Sequence, residues 1–220
     1  MSDMHVFRFD VDEAYAKQTN EMLRNTTSLV ISGVALFILS LTAGVLVWMY
    51  VDPTSPWRLL GSLGLILFGI MMLVVAVLIP RSVGQAQTLY DSHPLAPALI
   101  SENAGTTITL TALVNTNVDP QLPPRWAITS QVAKPLPNTH NTTGTKVPVA
   151  AVGAQRSTHD KQHWRTITPM PIAWGTPDAD VITTARKAIP PHQWQTLERV
   201  CKDKELVEAS KNALTVLEKS

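Results

Sequence analysis

Residues Ser28 to Val51 read SLVISGVALFILSLTAGVLVWMYV, and Leu59 to Ile79 read LLGSLGLILFGIMMLVVAVLI, with no Asp, Glu, Lys, Arg or His in either stretch. At 1.5 Å per helical residue each is long enough to cross a hydrocarbon layer of about 30 Å. The link between them, Asp52-Pro-Thr-Ser-Pro-Trp57, has room only for a turn. Its two prolines stop one helix before the next begins, so the spans form an antiparallel hairpin. A cleaved leader would have a shorter apolar core behind a basic segment. Here Asp3, Asp10, Asp12, Glu13 and Glu21 come first, and the hairpin reads as a resident anchor.

Flanking charge predicts its orientation in a cell membrane. Lys17, Arg24 and Arg81 lie on the side of the two termini and only Arg58 on the side of the turn, which predicts cytoplasmic termini. Trp48, Tyr50 and Trp57 gather at the turn, where amphipathic rings favour the outer membrane–water boundary. Pumps, channels and proton relays keep charged groups at membrane depth, and neither span carries one. Gly33, Ser40, Gly44, Gly61, Gly64 and Gly69 are small residues that let helix backbones approach closely. Two uses stay open for them: packing the hairpin on itself, or docking against another integral membrane protein.

Ahead of the hairpin, residues 1–27 form a cytoplasmic segment with a short amphipathic helix. Asp10 is expected as its N-cap, Glu13 takes the capping-box position, and the helix runs to about Asn25. Phe7 and Phe9 precede it as a hydrophobic plug, packed on the soluble domain, the membrane surface or a partner.

The hairpin, residues 28–80 with spans 28–51 and 59–79, is followed by a linker at 81–105 and a cytoplasmic domain at 106–220. Residues 82–220 hold 13 Lys/Arg against 11 Asp/Glu, a balance that offers no field for a nucleic acid. The clearest strand is Thr107 to Val114, where Ile108, Leu110, Ala112 and Val114 alternate onto one face. Trp126–Ala133, Val147–Gly153 and Trp164–Ile172 are further strands, with turn-rich stretches such as Pro135–Gly144 between them. Pro169 and Pro171 push the last to an edge. Helices then follow: one capped at Thr176-Pro177-Asp178, one opening at Pro190-Pro191 with Trp194, Leu197 and Cys201 on one face, and one from about Lys204 to Glu218. The expected fold is α+β: a transmembrane hairpin, then a small antiparallel, barrel-like sheet ending in two or three helices.

Chemistry is sparse. His159 and His163 have the spacing of two metal ligands on a helix, but they fall in a turn before a strand. Gly144-Thr145-Lys146 lacks the earlier glycine and leading strand of a phosphate loop. Cys201, the single cysteine, excludes an intrachain disulfide and reads as a buried structural thiol. Asn25-Thr-Thr27 and Asn141-Thr-Thr143 fit the glycosylation pattern, which has no consequence in the cytoplasm. No nucleophile elbow or dinucleotide fingerprint occurs. The chain is expected to be non-catalytic and to hold neither cofactor nor metal.

Pro169-Met-Pro-Ile-Ala-Trp-Gly-Thr176 and Ile189-Pro-Pro-His-Gln-Trp194 give the C-terminal part a resemblance to a family of uncharacterised corynebacterial membrane proteins. In size and layout the whole chain resembles an accessory subunit of the actinobacterial respiratory supercomplex, which joins the cytochrome bcc complex to cytochrome c oxidase. That resemblance implies membrane subunits as partners and leaves the redox chemistry to them. The alternative is a membrane-tethered β-domain that binds a ligand or acts as a scaffold independently of respiration.

Overall fold

The computed structural model describes residues 5–83, 85–119, 122–156 and 160–217. It divides into two compact units, one taking in the chain up to Asn20 and from Gln85 on, the other running from Glu21 to Gly84.

The second unit is the hairpin. Two helices, α2 (Glu21–Tyr50) and α3 (Pro56–Val83), are joined by a tight turn. Asp52 builds that turn, its carboxylate accepting from the Thr54 amide at 2.8 Å and from the Thr54 hydroxyl at 2.6 Å. In the apolar stretches Thr26–Tyr50 and Pro56–Leu78 only 11% and 17% of the 18 most apolar consecutive residues are buried, and most of their leucines, isoleucines and valines are exposed. A core helix of a water-soluble protein would hide those side chains; these are built for an apolar solvent.

The first unit is a six-stranded antiparallel half-barrel, with order β5-β4-β1-β2-β3-β6. Its strands are β1 (Leu95–Asn103), β2 (Ile108–Asn115), β3 (Trp126–Ala133), β4 (Lys146–Arg156), β5 (Trp164–Pro171) and β6 (Thr215–Val216). The helices are α1 (Glu13–Thr19), α4 (Ala86–Ser92), α5 (Ala179–Ala188), α6 (Pro191–Val200) and α7 (Lys204–Asn212). The alternating β2 is buried on both faces. Ile108, Leu110, Ala112 and Val114 enter the core. On the polar face Thr111 bonds to Ser101 and Ser130, and Ser130 to Ser210 of α7, so the buried hydroxyls satisfy one another. β5 lies at an edge of the sheet, the place its prolines require.

Several boundaries differ from the sequence reading. The stretch 81–105 is not a linker: it carries α4 and the central strand β1. Pro97 is tolerated there because it faces Pro148 of β4, and pairing with β2 starts only at Ala98. The first helix is capped by Asp12, not Asp10, through a 2.9 Å bond to the Tyr15 amide. It ends at Thr19, because Asn20 is extended and the Thr19 hydroxyl is held by the carbonyls of Tyr15 and Trp174. The segment 1–27 is therefore split, its first part joining the sheet domain. α5 is capped by Asp178, with Thr176 supporting the cap through the Asp178 amide. The last helix stops at Asn212, where Ala213 turns extended, and the β-branched Thr215 and Val216 pair with Ile128 and Ala127.

The hairpin interface and the barrel seam as candidate functional sites

Most of the small residues singled out in the hairpin are consumed by its own interface. A methyl on Gly33 would lie 2.9 Å from Ala76 Cβ, one on Gly44 3.0 Å from Ile66, and one on Gly69 3.2 Å from Ser40 Cβ. Gly61 faces Val47 at 3.5 Å, and Ser40 is buried. These pairs run in opposite directions along the two helices, as antiparallel packing requires. Gly64 differs, with nothing within 4 Å of the space its side chain would fill. It leaves an open notch on the outer surface of α3.

At the turn, Trp48, Tyr50 and Trp57 are all exposed. The Arg58 guanidinium lies 4.6 Å from the Trp48 ring centroid, and its Nε donates to the Trp48 carbonyl at 2.9 Å. One cation is thereby held at the aromatic end of the hairpin.

The signature Pro169–Thr176 is buried throughout. It forms the corner that holds the N-terminal segment. The Tyr90 hydroxyl donates to the Pro171 carbonyl at 2.8 Å, the Thr19 hydroxyl to that of Trp174 at 2.9 Å, and the Asp12 amide to that of Gly175 at 3.0 Å. Phe9 meets the Tyr90 ring edge-on at 5.0 Å and packs on Gly175. Phe7 and Phe9 are thus a plug for this domain.

A concavity lies elsewhere, where the curled sheet brings β5 round to the end of β2. There the Trp164 amide donates to the Thr116 carbonyl at 2.7 Å, and Asn117 forms a bridge with His163. A cleft of about 330 Å³ opens beside this seam. Arg125, just before β3, and Arg165 of β5 line it, as do Leu214 and Val216 at the C-terminal strand. Asn115 accepts from the Arg125 and Asn117 amides, and Asn117 donates to the Pro123 carbonyl, which pins the approach to β3. The Trp164 indole lies directly on Gly153, with the Arg156 guanidinium 4.8 Å from its ring centroid.

Asp160 and His163 complete the cleft. His163 Nδ1 and Asp160 Oδ2 are 2.8 Å apart, and the hydrogen bond from His163 holds the Asp160 carboxyl below the usual carboxylate range. His159 lies outside the described residues, and among those described no three His, Cys, Asp or Glu side chains gather as a metal site. Cys201 caps the C-terminus of α6, and burial pushes its thiol up to about 11. Sequence reasoning missed Arg125 and Arg165. The visible trace was the pair Arg125-Trp126 and Trp164-Arg165, each at the start of a strand.

Residues 81–205 match the family described as "Protein of unknown function (DUF3239)". A crystal structure of a "putative membrane protein" from Corynebacterium diphtheriae is similar at 42% identity, with a TM-score of 0.53, covering 56% of this chain and 99% of that one. A search of the curated proteins finds no match. With its two outward-facing apolar helices, this likeness points to a membrane protein. The chain belongs to the DUF3239 family of proteins of unknown function.

Proposed function

We propose that this protein is a two-pass, non-catalytic accessory subunit of a larger assembly in the cytoplasmic membrane, with both termini and the half-barrel domain in the cytoplasm. Its partners on this reading are the cytochrome bcc complex and cytochrome c oxidase, as the resemblance in layout to respiratory supercomplex subunits implies. The observation that carries the docking reading is the notch at Gly64, open space where a side chain would stand among exposed apolar residues of α3. The six small residues do not act together. Five serve the hairpin's own packing, and docking falls to Gly64 and the exposed side chains around it, such as Leu60, Leu63 and Leu67.

Cytoplasmic termini are supported by the basic flanks, Lys17, Arg24 and Arg81 against Arg58 alone at the turn, and chain connectivity supports both ends lying on one side. The segments entering and leaving the hairpin belong to one compact unit, which a hairpin with both ends on one side allows.

Affinity purification of the full chain in a mild detergent, with haem spectroscopy and subunit identification, tests the reading. Haem absorbance and co-purifying membrane subunits are expected, and Gly64→Leu should remove them while the hairpin stays folded. A protein that migrates alone without haem absorbance, or a Gly64→Leu variant that keeps the same partners, counts against it.

A further inference from the structure

The geometry points to the seam cleft as a binding site for a phosphate ester, with Arg125 and Arg165 holding the phosphate and Leu214 and Val216 receiving the less polar part. The inference concerns the half-barrel alone and stands whether or not the hairpin docks on a partner.

Four ionisable side chains line the cleft: Arg125, Arg165, His163 and Asp160. The carboxylate is already occupied. Asp160 Oδ1 accepts from the amides of Gln162 and His163, and Oδ2 is paired with the His163 ring. Neither arginine has a carboxylate partner among the described residues, although Lys146, Lys211 and Arg24 elsewhere in the chain do. Two guanidiniums thus line one concavity with no ion pair to either among the described residues, the cleft's one carboxylate, Asp160, being engaged by His163 and two amides. Each offers a planar fork of donors that matches phosphate oxygens.

The backbone that carries them is fixed in advance. Arg125 is clamped through its amide to Asn115 Oδ1 at 3.1 Å and through its carbonyl to the Thr116 amide at 3.0 Å. Arg165 follows Trp164, which is tied to Thr116 and packed on Gly153. A site held this way loses little order when it binds. Its volume falls in the range of small-molecule pockets, and its apolar wall gives an organic phosphate an advantage over a bare anion.

Phosphate esters reach such a site as soluble molecules or as phospholipid headgroups, and two titrants separate these sources. Full-length protein in neutral maltoside micelles is titrated calorimetrically with glycerol phosphate and with dihexanoyl phosphatidylglycerol. Saturable binding of glycerol phosphate alone assigns a soluble ester; binding of the short-chain lipid, alone or more tightly, assigns a headgroup. Arg125→Gln and Arg165→Gln should each weaken binding about tenfold or more, with circular dichroism and melting unchanged. Arg186→Gln, on the exposed side of α5, should leave it as it was. No saturable heat with either titrant at about 10 mM, or affinity that both cleft variants leave intact, overturns the assignment.

Discussion

Gly175→Ala is expected to release the N-terminal segment while leaving the half-barrel folded. Gly175 has φ −94° and ψ −21°, ordinary values for alanine, so the backbone does not resist the change. Space does. The new methyl would lie 2.8 Å from Tyr90 Cε2 and 2.9 Å from Phe9 Cζ, well inside van der Waals contact. Tyr90 is 1% exposed and tied to Pro171, so it has nowhere to go. Phe9 is half-buried on a short segment and is the group that moves. Its movement loosens the edge-to-face pair with Tyr90 and two main-chain bonds, Asp12 N–H to Gly175 O and Val11 N–H to Gln87 Oε1. Overpacking of this kind costs about 1–3 kcal/mol. If about 2 kcal/mol falls on the segment, its opening equilibrium rises roughly 30-fold. Hydrogen exchange at the Val11 and Asp12 amides should accelerate by that factor while Leu110 and Ala112 in β2 keep their protection. Adding Phe9→Leu should recover part of the loss, a non-additivity that marks direct contact. Unchanged exchange at Val11 and Asp12 in a folded variant refutes the reasoning, as does equal acceleration in β2.

Three further outcomes follow from other contacts. Gly33→Val drives a branched side chain into Ala76 and should destabilise the hairpin by about 1–3 kcal/mol, read as a lower melting temperature in detergent; a melt equal to wild type contradicts the packing assignment. With its thiol pushed up to about 11 by burial, Cys201 at pH 7.5 carries roughly 100-fold less thiolate than an ordinary cysteine, so maleimide labelling of the native protein should be slower by about that factor and recover in denaturant. Lys211 binds Glu102 and Glu208; the Lys211 hydrogen bond lowers the Glu102 pKa, so this contribution is present above the unfolded value of about 4.3 and lost as pH falls through the lower folded value. Lys211→Met should therefore melt slightly below wild type at pH 6, with the difference closing below about pH 4. A difference that persists at pH 3 would place the effect in packing.

What the sequence disclosed depended on how locally each feature is determined. The two apolar spans, the alternation from Ile108 to Val114 and the strand Trp126–Ala133 each carry their signal within a few residues. β1 stayed hidden because Pro94 and Pro97 read as punctuation, and only its partner on β4 reveals that Pro97 faces another proline. The end of α7 was misread because Leu214 and Leu217 continue a helical spacing, while Thr215 and Val216 answer to the edge of β3. The small residues of the hairpin were found, but their destination was not. Sequence cannot say which side of a helix its neighbour occupies, and five of the six turned inward. The cleft was least legible, since Arg125 and Arg165 lie 40 positions apart and line one cleft only because the sheet curls.

The buried signature has a structural use in this light. Pro169 to Thr176 leaves the edge strand, turns through a short 3-10 segment and offers three carbonyls, those of Pro171, Trp174 and Gly175, to residues from two other parts of the chain. One of these, Tyr90, follows the hairpin by a few residues; Asp12 and Thr19 precede it by a few. A backbone corner that binds Asp12, Thr19 and Tyr90 ties the N-terminal segment and α4 into the half-barrel unit. Glycine at 175 is required by the two rings packed on it, and Thr176 by the capping turn before α5. Substitution there should act on the attachment of the flanks first, and on any partner through it. A variant that releases the N-terminal segment yet leaves any co-purifying subunits unchanged would separate the closure of the fold from the proposed docking of the hairpin.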